Sequence, residues 1–179
     1  MIQEKKIALR QKVSILKKNQ DVKSYNNESG LILRKLEELP EFINAKIVMA
    51  YWSIKGEVFT HDFIKKWSKY KTFVLPSVDG DIMHLKVYNG SNNLIPGDLY
   101  AIPEPEGPLF QDLPDIDLII VPGIAFDLNN NRMGRGKAYY DRFLRSIEAM
   151  KIGICFRFQL FTEVPCDEND IKMDKVISN

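Results

Sequence analysis

Four aliphatic residues in a row, Leu118 to Val121, constrain the fold more than any other part of the chain. A short uninterrupted apolar run of this kind fits a strand that is buried on both faces of a sheet. A polar loop, a glycine-rich basic segment and a helix-like segment follow it. Glycines let backbone amides approach a phosphate closely, and a helix start adds partial positive charge. The order of strand, glycine-rich loop and helix therefore predicts an anion site.

The glycine-rich segment carries three cationic side chains, which together could neutralise a polyphosphate. They are Arg132, Arg135 and Lys137. The standard phosphate fingerprints do not match this segment. A Walker A loop would need glycine at Asn131 and serine or threonine at Ala138, and the dinucleotide and kinase loops fail at Tyr139. The residues alone thus predict a nucleoside triphosphate site and leave the enzyme open.

Length and charge limit the class of protein. The chain has 179 residues, 45% of them hydrophobic and 27% charged, which predicts one globular domain over residues 1–179. A net charge of +1 gives no reason to expect nucleic acid or a membrane surface as a partner. Cys155 and Cys166 show no metal-ligand spacing, so we expect free thiols in a reducing cytoplasm. We also expect a monomer.

Predicted strands alternate with helices and loops after two N-terminal helices. The helices are expected at residues 3–18, 24–39, 60–69 and 136–150, and the strands at residues 46–52, 72–75, 83–88, 118–121 and 151–156. Pro76 is expected to stop the second of these strands. This order predicts an α/β fold with three αβα layers, a mainly parallel central sheet and N-terminal helices.

Three charged residues in the first third of the chain, Lys6, Arg10 and Glu57, each have two interpretations. Lys6 and Arg10 lie four apart and share one side of the first helix, where a solvated basic face is the simpler interpretation. Glu57 follows the strand at residues 46–52, at the sheet edge where α/β proteins bind ligands. It could accept hydrogen bonds from N–H groups of a substrate, although a lone loop glutamate is more often solvated.

Three other features have weaker signals. The proline-rich segment at residues 102–108 is too rigid for a helix and is suited to lining a cleft. His61 is expected at the surface. The acidic tail is usually solvated in such a sequence, yet two of its carboxylates near a triphosphate could hold Mg²⁺. Its acidic residues are Asp167, Glu168, Asp170 and Asp174.

The stretch VPGIAFDLNNNRMGRGKAYYDRF resembles the signature of the 5-formyltetrahydrofolate cyclo-ligases, also called 5,10-methenyltetrahydrofolate synthetases. That signature opens with PG-hydrophobic-x-FD and, after a polar turn, continues as R-hydrophobic-G-x-G-x-G-YYD. Three other segments resemble the family in the same order, so the similarity spans nearly the whole chain. They are K-x-x-L-R (Lys6, Leu9, Arg10), Y-x-S-x-x-x-E (Tyr51, Ser53, Glu57) and E-x-D-x-x-x-D (Glu168, Asp170, Asp174). Ala138 departs from the pattern, which usually has glycine there, and Tyr100 matches a family tryptophan.

The resemblance implies a reaction. Family members bind MgATP and 5-formyltetrahydrofolate and release 5,10-methenyltetrahydrofolate, ADP and phosphate. In the implied route the formyl oxygen on N5 attacks the γ-phosphate and gives an iminium phosphate, after which N10 closes the ring and phosphate leaves. ATP is needed because an amide-like formyl oxygen is a poor leaving group until it is phosphorylated.

The resemblance also implies a role for each matching residue. ATP would be bound by Lys6, Arg10, Arg132, Met133, Gly134, Arg135, Gly136, Lys137, Ala138, Tyr139 and Tyr140. The folate would be bound by Trp52, Glu57, Arg135, Gly136, Lys137, Ala138 and Tyr139. Lys137 and Arg135 are the implied catalytic residues, and Lys137 would offset charge as the phosphoryl group transfers. Asp141 and Asp170 match the family's Mg²⁺ positions, although a helix ion pair with Lys137 is the simpler interpretation of Asp141.

Two other functions remain open from the sequence. The first is another ATP-dependent enzyme that acts on a small molecule other than folate, and the loop from Tyr51 to Glu57 would then decide the substrate. The second is a non-catalytic binding module for folate or RNA. The low net charge speaks against RNA. The joint presence of four residues speaks against an inactive binder without excluding one: Lys137, Asp141, Asp170 and Glu57.

Overall fold

A six-stranded sheet lies at the centre of the structure, a computed structural model that describes residues 1–98 and 101–179. The expectation for Tyr100 falls outside these ranges. In chain order the strands are β1 (Ile47–Met49), β2 (Thr72–Asp79), β3 (Ile82–Val87), β4 (Leu94–Pro96), β5 (Pro103–Pro105), β6 (Leu118–Val121), β7 (Ala125–Asp127), β8 (Arg132–Met133), β9 (Met150–Cys155), β10 (Leu160–Phe161) and β11 (Lys175–Ser178). The helices are α1 (Ile2–Lys18), α2 (Val22–Glu37), α3 (Pro40–Asn44), α4 (His61–Trp67) and α5 (Tyr139–Leu144).

The strand order across the sheet is β11, β9, β6, β1, β2 and β3. β3 runs antiparallel to β2, and the other neighbours are parallel. Because successive side chains point to opposite faces, Val48 packs into the apolar cluster with α2, α3 and α4, while Met49 packs into the cluster with α5. Both faces are buried in this way. The predicted α/β class with a mainly parallel sheet and N-terminal helices is confirmed.

The prediction that Pro76 stops its strand is wrong, because β2 continues through it to Asp79. Hydrogen-bonding groups alternate between the two sides of a strand, and the carbonyl of Val74 accepts from Ala50 N on the side of β1. The nitrogen of Pro76 faces that same side, past the end of β1. The missing N–H therefore costs no sheet hydrogen bond at this position.

The helix predicted over residues 136–150 is much shorter in the structure. Ala138 has the left-handed angles φ 55° and ψ 18°, and Gly136 has φ 98°, so a right-handed helix cannot begin before Tyr139. The hairpin of β7 and β8 occupies part of the predicted loop. Residues 134–138 (the glycine loop) are thus fully non-helical, and the helix that follows has only six residues.

Two short elements carry no clear sequence signal. β11 has four residues and pairs with β9, and α3 begins at Pro40, directly after the range predicted for the preceding helix. Proline suits the first turn of a helix because its missing N–H would have no partner there. Within the described ranges, every helix is too short or too polar to cross a membrane.

Candidate active site

A cleft opens at the carboxyl ends of β1 and β6. Tyr51 and Trp52 follow β1 on one wall, and Pro122 follows β6 on another. This is the edge at which parallel sheets hold ligands. The predicted site residues that line the cleft are Trp52, Glu57, Arg132, Gly134, Arg135, Lys137, Ala138, Tyr139, Tyr140 and Asp141.

Other predicted site residues are not among those that line the cleft. They are Lys6, Arg10, Met133, Gly136 and Asp170. Met133 is 1% exposed and packs in an apolar cluster with Val13 and Val164, so its side chain belongs to the core. Any contact of Met133 with a ligand in the cleft would have to come from its backbone.

Lys6 lies between two carboxylates of the acidic tail. Its Nζ donates to Asp167 Oδ2 at 2.7 Å and to Asp170 Oδ2 at 2.6 Å, and its side chain is 7% exposed. Burial lowers the pKa of Lys6, but the two hydrogen bonds and the two negative charges outweigh it, so the pKa is raised. Lys6 therefore connects α1 to the tail and is not part of a solvated basic face.

Arg10 connects α1 to the glycine loop. Its Nε donates to the carbonyl of Gly134 at 3.0 Å. Its guanidinium packs against Gly136, where an added Cβ would lie 3.4 Å from Arg10 Nη2. The first helix thus brings a cation to the outer side of the loop.

Arg132 and Asp141 form a buried ion pair on the cleft wall. Arg132 is 3% exposed, and its Nη2 donates to Asp141 Oδ1 at 2.7 Å. The same carboxylate oxygen accepts from the backbone of Ile171 at 3.2 Å. Arg132 Nη1 donates to the carbonyl of Pro122 at 3.3 Å. The ion-pair partner of Asp141 is therefore Arg132 and not Lys137.

Glu57 is held at the cleft by two hydrogen bonds. Its Oε1 accepts from Arg135 Nη2 at 2.7 Å, and its Oε2 accepts from the backbone of Ile54 at 3.0 Å. The side chain of Glu57 is 14% exposed. The interpretation of Glu57 as a solvated loop residue is therefore wrong.

Lys137 extends from the glycine loop with its side chain exposed. Within the described residues its amine makes no hydrogen bond and no ion pair. Its backbone carbonyl, in contrast, accepts a hydrogen bond from Arg142 Nη1 at 3.0 Å. The cation is thus free to approach a ligand, whereas the backbone that carries it is fixed.

His61 stacks on Trp52 with ring centroids 3.9 Å apart and an interplanar angle of 13°. Its Nε2 lies 2.8 Å from the carbonyl of Ser53, and burial lowers its pKa. His61 is thus half-buried at the surface, where the sequence predicted a simple surface residue. The stack fixes the indole of Trp52 as an apolar part of the cleft wall.

The proline-rich segment lines the cleft, as predicted, through Ile102, Pro103 and Glu104. Glu104 itself carried no signal in the sequence. It is 7% exposed, accepts from Ser77 Oγ at 2.7 Å and accepts from the backbone of Val78 at 3.1 Å. These bonds fix β5 against β2 and so shape the apolar end of the cleft.

Asp127 is a second residue that the sequence did not single out, although it belongs to the FD pair of the signature. It is fully buried and accepts four hydrogen bonds, three of them from Asn129 and Asn131 and one from Val164. Burial raises the pKa of Asp127, and the hydrogen bonds outweigh it and lower the pKa. Asp127 therefore fixes the turn that leads into the glycine loop.

The sequence profile of the 5-formyltetrahydrofolate cyclo-ligase family matches residues 2–179. The chain belongs to this family. The family resemblance of the glycine-loop signature is thereby confirmed.

Relatives of known structure or curated name agree with this family. A 5,10-methenyltetrahydrofolate synthetase from Aquifex aeolicus superposes with a TM-score of 0.87 at 36% identity, over 97% of this chain and 89% of that chain. A 5,10-methenyltetrahydrofolate synthetase from Mycoplasma pneumoniae gives 0.77 at 26% identity, over 96% and 97%. A 5-formyltetrahydrofolate cyclo-ligase from Mus musculus is 28% identical over 165 residues, 84% of this chain and 81% of the mouse protein.

Ala138 occupies the one position of the signature where this cyclo-ligase family member departs from the usual glycine. Its left-handed backbone explains the family preference, because glycine adopts such angles without a steric cost. Ala138 lies on the cleft, so its methyl group also faces the space for ligands. Alanine in place of glycine adds backbone strain to the loop, and residue 138 keeps its left-handed conformation.

Proposed function

We propose that this protein converts 5-formyltetrahydrofolate into 5,10-methenyltetrahydrofolate while ATP is cleaved to ADP and phosphate. The observation that carries the proposal is the shared cleft. Trp52 and Glu57, the implied folate contacts, line the same cleft as Arg135 and Lys137 of the glycine loop. A substrate that must meet the γ-phosphate of ATP needs such an arrangement, because in-line transfer requires the two reactants within about 3–3.5 Å of each other.

The proposed reaction begins when the formyl oxygen attacks the γ-phosphorus. The bond to ADP breaks, and ADP takes the electron pair. N10 then attacks the formyl carbon and loses its proton, and the C–O bond breaks to release phosphate. Lys137 offsets negative charge on the transferring phosphoryl group, and Arg135 of the same loop assists. Glu57 accepts hydrogen bonds from the amino and ring N–H groups of the pterin.

The carboxylates of Asp141 and Asp170 fit the proposed Mg²⁺ site. One carboxylate oxygen of Asp141 accepts a hydrogen bond from Arg132, and one of Asp170 accepts from Lys6. The other oxygen of each carboxylate makes no hydrogen bond among the described residues. No group of three or more potential metal ligands occurs in that part of the chain. Two carboxylates would nevertheless suffice, since Mg²⁺ usually takes one or two protein carboxylates together with phosphate oxygens. When bound, it would neutralise charge on the triphosphate.

The test is incubation of the purified protein with MgATP and 5-formyltetrahydrofolate. We expect the near-ultraviolet absorbance of the methenyl product to rise only when both ATP and the folate are present. Product formation without ATP, or none with both, would refute the proposal. We also propose that residues 1–179 act as one domain and as a monomer, which sedimentation of the same sample checks.

A further inference from the structure

Arg142 bridges two segments that are distant in sequence. Its Nη1 donates to the carbonyl of Lys137 at 3.0 Å, and its Nη2 donates to the carbonyl of Asp81 at 2.8 Å. Lys137 belongs to the glycine loop, and Asp81 lies in the turn between β2 and β3. The planar fork of a guanidinium is suited to this task, because its donors point in fixed directions toward two acceptors.

A second contact joins the same two segments. The hydroxyl of Tyr139 donates to the carbonyl of Gly80 at 2.8 Å, one residue before the acceptor of Arg142. The guanidinium of Arg142 lies 5.2 Å from the centroid of the Tyr139 ring. The two side chains are three residues apart on α5 and therefore project from the same side of the helix. Both of them hold the turn between β2 and β3.

The glycine loop depends on contacts of this kind. Gly136 and Ala138 take left-handed angles, so the loop has no regular hydrogen-bonded structure of its own. Arg10 holds the carbonyl of Gly134 at its start, and Arg142 holds the carbonyl of Lys137 near its end. The Lys137 amine makes no hydrogen bond and no ion pair among the described residues, so its position depends mainly on the backbone that Arg142 holds.

We propose that Arg142 is a positioning residue, which fixes Lys137 in the cleft and sets the distance between the glycine loop and the wall formed by β2 and β3. Val78 and Met83 of that wall line the cleft opposite the loop. The role assigned to Lys137 rests on the proposed function. The bridge itself is a property of the free protein and can be tested without turnover.

Trypsin provides the first test, because it cleaves after Lys137 and the scissile carbonyl is the atom that Arg142 holds. Loss of two ordinary hydrogen bonds should speed cleavage of the bond between Lys137 and Ala138 about tenfold in Arg142→Ala. The cleavage rate of Arg142→Lys, which can keep one of the two bonds, should lie between those of the wild type and Arg142→Ala. Arg145→Ala is the matched control on the same helix end. Mass spectrometry of the fragment 1–137 gives the rate.

Cleavage after Lys151, inside the central strand β9 that pairs with β6 and β11, requires the sheet to open and reports global unfolding in the same digest. Equal acceleration at Lys151 and Lys137 would assign Arg142 a general structural role and overturn the proposal. So would cleavage of Arg142→Ala after Lys137 at the wild-type rate.

Kinetics provide the second test. In a wild-type protein that turns over, Arg142→Ala should lower kcat/KM for ATP about tenfold while Arg145→Ala stays at the wild-type value. Wild-type kinetics for Arg142→Ala would overturn the positioning role. An inactive wild type would instead refute the proposed function, and the trypsin result would still decide whether Arg142 fixes the loop.

Discussion

The guanidinium of Arg135 lies 2.7 Å from a carboxylate oxygen of Glu57, so a cation of the glycine loop is paired with the acid at the opposite side of the cleft. In the proposed function Glu57 binds the pterin, whereas Arg135 contacts the phosphates as well as the folate. A bound phosphate that attracts the guanidinium of Arg135 would break this ion pair. One oxygen of Glu57 would then be able to accept a hydrogen bond from the folate. The ion pair thus links the two halves of the cleft before either ligand is bound.

Replacing the carboxylate of Glu57 should affect the folate more than ATP. Glu57→Gln keeps one acceptor oxygen but loses the charge, and hydrogen bonds to charged groups contribute about 1.5–3 kcal/mol. We expect the KM for 5-formyltetrahydrofolate to rise at least about tenfold and the KM for ATP to change less. Steady-state kinetics with each substrate varied in turn measure both. Glu38→Gln, at an exposed position, is the control, and equal effects on the two KM values would argue against recognition of the pterin.

Stability should depend on pH through Lys6 and Asp167. The hydrogen bond from Lys6 lowers the folded-state pKa of Asp167, so its stabilisation is present above the ordinary value of about 3.9 and is lost as pH falls through the lowered pKa. We expect Asp167→Asn to unfold at lower urea concentration than wild type at pH 7. The difference should shrink as the pH is taken below about 4. Urea titrations of both proteins at several pH values measure this difference. A difference in urea midpoint that is the same at pH 7 and below about pH 4 would contradict this account.

Lys6 and Asp170 also show where the sequence stops being informative. The aliphatic runs predict β6 and β9 correctly, and the signature contains about half of the residues that line the cleft. Lys6 is predicted to bind ATP, and Asp170 is predicted to bind Mg²⁺. The two residues are 164 positions apart in the sequence, but in the structure they are joined by a hydrogen bond. No periodicity or spacing encodes such a pair, because it depends on how α1 packs on the folded tail. Glu104 is missed for the same reason, since its partners lie on another strand.

Ala138→Gly should stabilise the protein. A left-handed alanine costs about 1 kcal/mol or more relative to glycine, and part of this gain is offset by the greater freedom of glycine in the unfolded chain. We expect a net increase of about 0.5–1 kcal/mol in the free energy of unfolding, measured by urea titration. Ala8→Gly, in the right-handed interior of α1, is the matched control and should destabilise by about 1 kcal/mol. A loss of stability in both variants would show that the left-handed angles carry no strain.

Asp141→Asn should raise the Mg²⁺ concentration needed for half-maximal turnover, because a neutral amide is a weaker ligand for a hard cation. The substitution also leaves the buried guanidinium of Arg132 without its counter-charge, so we expect a stability loss of about 1.5–3 kcal/mol, the usual contribution of a hydrogen bond to a charged group. A metal titration separates the two effects, since a purely structural role lowers the urea midpoint and leaves the Mg²⁺ dependence unchanged. Asp112→Asn, at an exposed position, controls for the loss of a carboxylate elsewhere.

Lys137→Ala should lower turnover by at least about 10²-fold, the usual effect of removing one group that stabilises charge in a transition state. Its amine makes no hydrogen bond or ion pair among the described residues, so we expect the urea midpoint to stay at the wild-type value. Lys69→Ala, another exposed lysine outside the cleft, should keep both full activity and full stability. Because Lys137 is not part of the packed structure, a loss of activity without a loss of stability would assign its cation to the reaction. Near-normal turnover of Lys137→Ala would remove it from the proposed mechanism.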